Sequence, residues 1–90
     1  MTVQINLASY LRPHAANKES VVVKGNTIGE CLKDLTVKYP ALKKMLFEDS
    51  GKLHDYVSIY AGGDIIYADG MDKSVKDGDM LTILYIIGGG

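Results

Sequence analysis

The segment from Thr27 to Pro40 constrains the fold more than any other part of this chain. Thr27 followed by Glu30 makes a T-x-x-E capping box, in which each side chain satisfies a backbone N–H that a helix start leaves unpaired. Ile28, Cys31, Leu32, Leu35 and Tyr39 then fall at i, i+3, i+4, i+7 and i+11, one apolar stripe along one helix face. Pro40 punctuates its end, because the residue before a proline is pushed out of helical geometry. A single helix with one greasy side cannot bury that side by itself. The stripe requires a sheet to cover it.

Strand patterns lie on both sides. Val3, Ile5 and Leu7 alternate with Thr2, Gln4 and Asn6, the period of two that gives a strand one buried face. After a polar stretch around His14 to Lys18, the β-branched run Ser20-Val21-Val22-Val23-Lys24 ends at Gly25-Asn26 and pairs with the first strand like a hairpin. Beyond Pro40, Leu42, Met45, Leu46 and Phe47 predict a short second helix closed by the polar loop Glu48 to Lys52. Tyr56 to Ala61 and Ile65 to Ala68 read as short strands joined at Gly62-Gly63-Asp64. Lys76-Asp77-Gly78-Asp79 is a turn leading into a last apolar strand from Met80 to Ile86. This order gives an α+β fold with a mixed sheet of four to five strands and a long helix across one face. Among small domains the β-grasp arrangement fits best.

The 90 residues suffice for one domain and not for two. Residues 1–87 form that domain in this reading, and 88–90 a flexible glycine tail. Ten basic against eleven acidic side chains leave a net charge of -1, so no electrostatic footprint for nucleic acid or an anionic membrane exists. One cysteine cannot close an internal disulfide, and with two histidines it cannot build a Cys/His zinc site. The start has neither a basic n-region nor a long apolar core, and the longest apolar stretch falls far short of the ~20 residues that span a bilayer. The expectation is a reduced, cytoplasmic protein.

No residue constellation reads as an active site, and the chain is expected not to be an enzyme. Cys31 sits on the helix stripe, where a free thiol behaves as a small buried hydrophobe. His14 and His54 lie in loops without a partner ligand and read as surface histidines. Gly25 and Gly29 flank a helix start but lack the P-loop and dinucleotide spacings, so a turn and a cap account for them. Asp69, Asp72, Asp77 and Asp79 lack the regular calcium-loop spacing, and turn chemistry suffices. Lys43 and Lys44 are followed by Glu48 and Asp49, the mixture of a solvated face. No metal or cofactor is expected on the chain.

Gly88-Gly89-Gly90 differs because it follows a strand directly. Three residues without Cβ can lie extended in a channel too narrow for side chains, and at ~3.4 Å per residue Ile87 to Gly90 reaches ~14 Å. Such a tail offers its carboxylate alone, a poor electrophile until a partner adenylates it with ATP. The domain would then serve as a cosubstrate. With Leu81 and Ile83 facing the core, Thr82, Leu84 and Ile86 face outward, and two exposed apolar residues would lead into the tail. A contiguous apolar patch beside a chain end marks an interface, so Leu84, Ile86, Ile87, Gly88 and Gly89 are the expected partner contacts and Gly90 the reacting residue.

These residues carry a resemblance. Through Asp77-Gly78-Asp79, the apolar last strand and Gly89-Gly90, the chain resembles the ubiquitin-like sulfur carrier proteins of the MoaD/ThiS type. Leu11-Arg12-Pro13-His14, Gly25-Asn26-Thr27-Ile28-Gly29, Gly51-Lys52-Leu53-His54 and Thr82-Ile83-Leu84 look most like its CysO branch, the carriers of cysteine biosynthesis. The resemblance implies that an E1-like adenylating enzyme activates Gly90 and that sulfur replaces AMP to give a C-terminal thiocarboxylate. It further implies a PLP-dependent sulfhydrylase that uses this sulfur and a JAMM-type zinc metalloprotease that releases the new amino acid, so every cofactor belongs to a partner. Tyr85-Ile86-Ile87-Gly88 departs from the branch, which carries proline and small residues there. Related carriers deliver sulfur to homocysteine, molybdopterin or thiamine, and a ubiquitin-like modifier that forms isopeptide bonds is the rival of another class.

Overall fold

The protein is described by a computed structural model, in which residues 1–85 are placed. Five strands build one sheet: β1 (Thr2–Asn6), β2 (Ser20–Lys24), β3 (Val57–Ala61), β4 (Asp64–Ile66) and β5 (Met80–Tyr85), in the order β2-β1-β5-β3-β4. The central pair β1 and β5 runs parallel and the other neighbours antiparallel, which makes the sheet mixed. Helix α1 (Ile28–Lys38) crosses one face and is followed by the short α2 (Ala41–Leu46). This is the arrangement that the single apolar stripe demanded.

The core lies between α1 and the sheet. Val3 and Ile5 of β1, Val21 and Val23 of β2, Ile59 of β3 and Leu81 and Ile83 of β5 point inward against Ile28, Cys31, Leu32 and Leu35. Each fully buried Leu or Ile contributes about 1.5–3 kcal/mol through the apolar surface it removes from water. Leu42 and Leu46 of α2 are buried as expected, whereas Phe47 stands beyond the helix as its extended C-cap and bridges Leu53.

Helix α1 starts as its sequence dictates. The Glu30 N–H donates to Thr27 Oγ1 at 3.1 Å, and the Glu30 carboxylate accepts from the Asn26 N–H at 2.9 Å, one residue before the expected cap amide. The next two amides donate to carbonyls of the segment before β5: Ile28 to Lys73 at 3.0 Å and Gly29 to Met71 at 2.8 Å. All these helix-start donors are therefore spoken for, and no phosphate cradle is left open.

Several boundaries differ from the sequence reading. The stretch between β1 and β2 holds a 3-10 turn, Arg12–Ala15, that periodicity did not reveal; Leu11 and Ala15 plug the core from it. The third strand begins at Val57 and not at Tyr56. Gly62 and Gly63, at φ of 58° and 90°, make a two-residue hairpin turn, so Asp64 already pairs with Ala61 and belongs to β4. That strand stops at Ile66 and not at Ala68, because residues Ala68–Gly70 coil into another 3-10 turn. Ile86, expected as the end of the last strand, lies outside the described residues.

Candidate functional site

The candidate site is the end of β5 from which the chain continues to its final residues. Its position is set at the other end of the strand. In the turn Lys76-Asp77-Gly78-Asp79, the Asp79 carboxylate accepts from the Lys76 N–H at 2.7 Å and Asp77 Oδ1 accepts from the Thr2 N–H at 2.8 Å. The Gly78 N–H donates back to the Thr2 carbonyl at 2.8 Å, with Gly78 at φ of 87°, a left-handed conformation that side chains resist. The turn thus clamps the start of β1 to the start of β5. Turn chemistry is what these aspartates do, and no cluster of three metal-ligating side chains forms among the described residues.

From that clamp, β5 runs between β1 and β3. Pairing with β1 extends from Gln4 opposite Met80 to Asn6 opposite Thr82, whereas pairing with β3 continues to Val57 opposite Tyr85. Leu81 and Ile83 face the core, which puts Met80, Thr82 and Leu84 on the outer face as the alternation required. Leu84 is half-buried and not exposed as expected, because it sits opposite Ser58 on the same face of the sheet. The register adds residues that sequence reasoning missed: Tyr60 and Ile65 share that outer face, and with Met80 they are about half exposed, at 45%, 49% and 54%. Alternation within β5 could find one row of this patch, but only strand order could join the rows.

At the end of β5 four rings touch in succession. Tyr85 stacks on Tyr10 with centroids 5.2 Å apart and planes at 20°, and meets Tyr56 edge-on at 5.2 Å and 77°. Tyr56 in turn stacks on His54 at 4.7 Å and 13°. Burial pushes the Tyr85 phenol above its ordinary value, and the neighbouring Tyr56 and Tyr10 add to this. His54 is therefore no plain surface histidine: its ring Nε2 lies 3.0 Å from the Lys44 carbonyl and its backbone N–H donates to the Leu46 carbonyl. His14, in contrast, is exposed as read.

The remaining candidates are structural. Cys31 is fully buried, and burial, with Glu30 adding, pushes its thiol up, so it is no nucleophile. Gly25 and Gly29 flank the helix start as read and additionally allow close approach, neither having a positive φ. A Cβ on Gly25 would sit 2.8 Å from the Cys31 amide nitrogen, and one on Gly29 3.1 Å from the Met71 carbonyl oxygen. The expected contact residues Ile86, Ile87, Gly88 and Gly89, and the reacting Gly90, lie outside the described residues. No helix is long and apolar enough to cross a membrane among the described residues.

A mixed five-stranded sheet grasping one long helix defines a ubiquitin-like β-grasp protein. The chain belongs to the ThiS family, which it matches over residues 4–90. It is 36% identical to the sulfur carrier protein CysO of Mycobacterium tuberculosis over the whole of both chains. The fold superposes with a TM-score of 0.85 on the structure of the Amycolatopsis orientalis BexX/CysO complex, at 32% identity, covering 98% of this chain and 99% of the other. With SAMP1 of Haloferax volcanii the TM-score is 0.87 at 25% identity, with both chains fully covered. The resemblance to MoaD/ThiS-type carriers and to their CysO branch is borne out.

Proposed function

We propose that this protein is a sulfur carrier whose Gly90 is adenylated by an E1-like enzyme and converted to a thiocarboxylate that donates sulfur for the biosynthesis of an amino acid, cysteine or homocysteine. The observation that carries this reading is the full-length identity of 36% with a CysO sulfur carrier, end to end on both chains. The physical reading agrees. Among the described residues, the buried thiol and the turn-bound aspartates leave no catalytic constellation, and in the sequence β5 is followed within a few residues by Gly88-Gly89-Gly90.

In the proposed cycle residues 1–87 act as the handle and 88–90 as the reactive tail. The Gly90 carboxylate attacks the α-phosphate of ATP, pyrophosphate leaves, and a sulfur nucleophile displaces AMP from the acyl adenylate. Leu84, Ile86, Ile87, Gly88 and Gly89 form the contact with the adenylating partner. At a PLP-dependent sulfhydrylase the thiocarboxylate sulfur bonds to an electrophilic amino-acid precursor, an S-to-N acyl shift leaves the new amino acid amide-linked to Gly90, and a JAMM-type zinc metalloprotease hydrolyses that amide to release the amino acid and regenerate the carrier. Reactions of this kind place the protein in the cytoplasm.

The test is intact-mass spectrometry of the protein from its native host. One oxygen exchanged for sulfur on the C-terminal fragment is the expected result. Deleting Gly90 should abolish sulfur transfer while leaving the melting temperature unchanged, and full activity of that variant would overturn the proposal. A second reading, a protein modifier forming isopeptide bonds, is favoured by the likeness to SAMP1 and by 31% identity over 71% of the chain to small archaeal modifier protein 3 of Haloferax volcanii. Lysine conjugates in place of the thiocarboxylate would establish it.

A further inference from the structure

The last three residues of β5 are held unequally. The ladder with β1 ends at Asn6 opposite Thr82, so Ile83, Leu84 and Tyr85 are paired to β3 alone. Yet this is the stretch that must hand the chain on to its five remaining residues. A strand end paired on one side only frays, because breaking its last rung exposes few buried contacts.

The rings supply what the ladder lacks. Tyr10 belongs to the connection that follows β1 and lies flat against Tyr85, while Tyr56 immediately precedes β3 and meets Tyr85 edge-on. Tyr85 is thereby gripped by segments attached to both strands that flank β5. The grip has its own foundations. Leu11, beside Tyr10, is fully buried, and the Arg12 Nε donates to the Leu7 carbonyl at 3.2 Å. On the other side His54 stacks on Tyr56 and is tied through its ring to the Lys44 carbonyl of α2. Tyr10 and Tyr56 nevertheless remain 53% and 41% exposed, more than a pair serving burial alone would be.

We infer that Tyr10, Tyr56 and Tyr85 are positioning residues: their ring stack fixes the point and direction in which the chain leaves β5, and so where the terminal glycine is presented. The inference rests on the carrier reading for its chemistry but on the ring geometry for its substance. Each further residue freed at the root enlarges the volume that the end must search, and lowers the fraction of encounters with the carboxylate aligned for attack. The tyrosines touch no reacting atom and act through the backbone at residue 85.

Two measurements test it. In the free full-length protein, Tyr10→Ala should speed amide exchange of Leu84, whose N–H faces β3, about three- to tenfold, the value of one lost ring pair, and lower the melting temperature by a few degrees, whereas Thr27→Ala, a loss of similar size at the helix start, should leave that exchange unchanged. Unchanged exchange at Leu84 in Tyr10→Ala overturns the inference whatever the protein carries. With the adenylating enzyme of the same source, ATP–pyrophosphate exchange should show kcat lowered about three- to tenfold by Tyr10→Ala and by Tyr85→Ala, KM nearly unchanged, and rescue by Tyr85→Phe. Wild-type kcat in both alanine variants overturns positioning, as does a loss confined to KM, which would make the rings a docking contact. A wild-type protein that supports no exchange with that enzyme sinks the carrier reading instead, and the amide measurement then judges the ring stack by itself.

Discussion

At the scale of single residues, the protein's ionisable groups do structural work where burial holds them. The Cys31 thiol is pushed up from 9.0 by burial, then by Glu30, and the Tyr85 phenol is pushed up from 10.0, again by burial first. Both groups stay protonated longer in the folded protein than in the unfolded chain. More than about two pH units below the ordinary thiol value neither state ionises them, so they add no pH dependence there. As pH rises further, the unfolded chain loses its protons first and stability falls until the folded groups also ionise. Urea midpoints measured from neutral pH to about pH 11 should therefore decline, with Cys31→Ala removing the part that begins near the thiol value and Tyr85→Phe the later part. Stability that rises over this range would contradict the burial of both groups. Gly25 works at the same scale in the opposite way, since what matters there is the atom it lacks beside the Cys31 amide.

At the scale of elements, α1 shows local sequence and tertiary contact cooperating. The capping box was readable from Thr27 and Glu30, but the Ile28 and Gly29 amides are satisfied by Lys73 and Met71, which are distant in sequence. Thr27→Ala should cost about 1 kcal/mol, the ordinary value of a lost N-cap, with an unchanged urea slope. A loss near zero would mean that the contacts from the 70s segment hold the helix start without the cap. The 3-10 turn at Arg12–Ala15 had no comparable signature, because a single short turn has no period to detect. Ala16 and Asn17, which follow it, are left-handed at φ of 54° and 60°, and the Asn17 N–H closes the turn on the Arg12 carbonyl at 2.7 Å.

At the scale of the whole molecule, the sheet has two faces with different tasks. Leu81 is 1% exposed on the core face and Leu84 half-buried on the outer one, so Leu81→Ala should cost about 2–5 kcal/mol and Leu84→Ala less than about 1.5 kcal/mol. Equal losses in urea unfolding would show that the outer face is packed too. The sequence by itself determined which residues are strands and helices wherever a period repeated, which face of each is apolar, and the Asp77-Gly78-Asp79 turn, because these depend on neighbours a few residues away. It also carried the family, through short motifs that survive as strings. Only the tertiary structure decided the strand order that joins Leu84 to Tyr60, Ile65 and Met80, and the meeting of Tyr10, Tyr56 and Tyr85 at one strand end. Those residues lie up to 75 positions apart in the chain, and nothing local records their encounter. Burying one helix stripe against five strands is what brings them together, since the register of β5 between β1 and β3 is set by the core and the rings follow it.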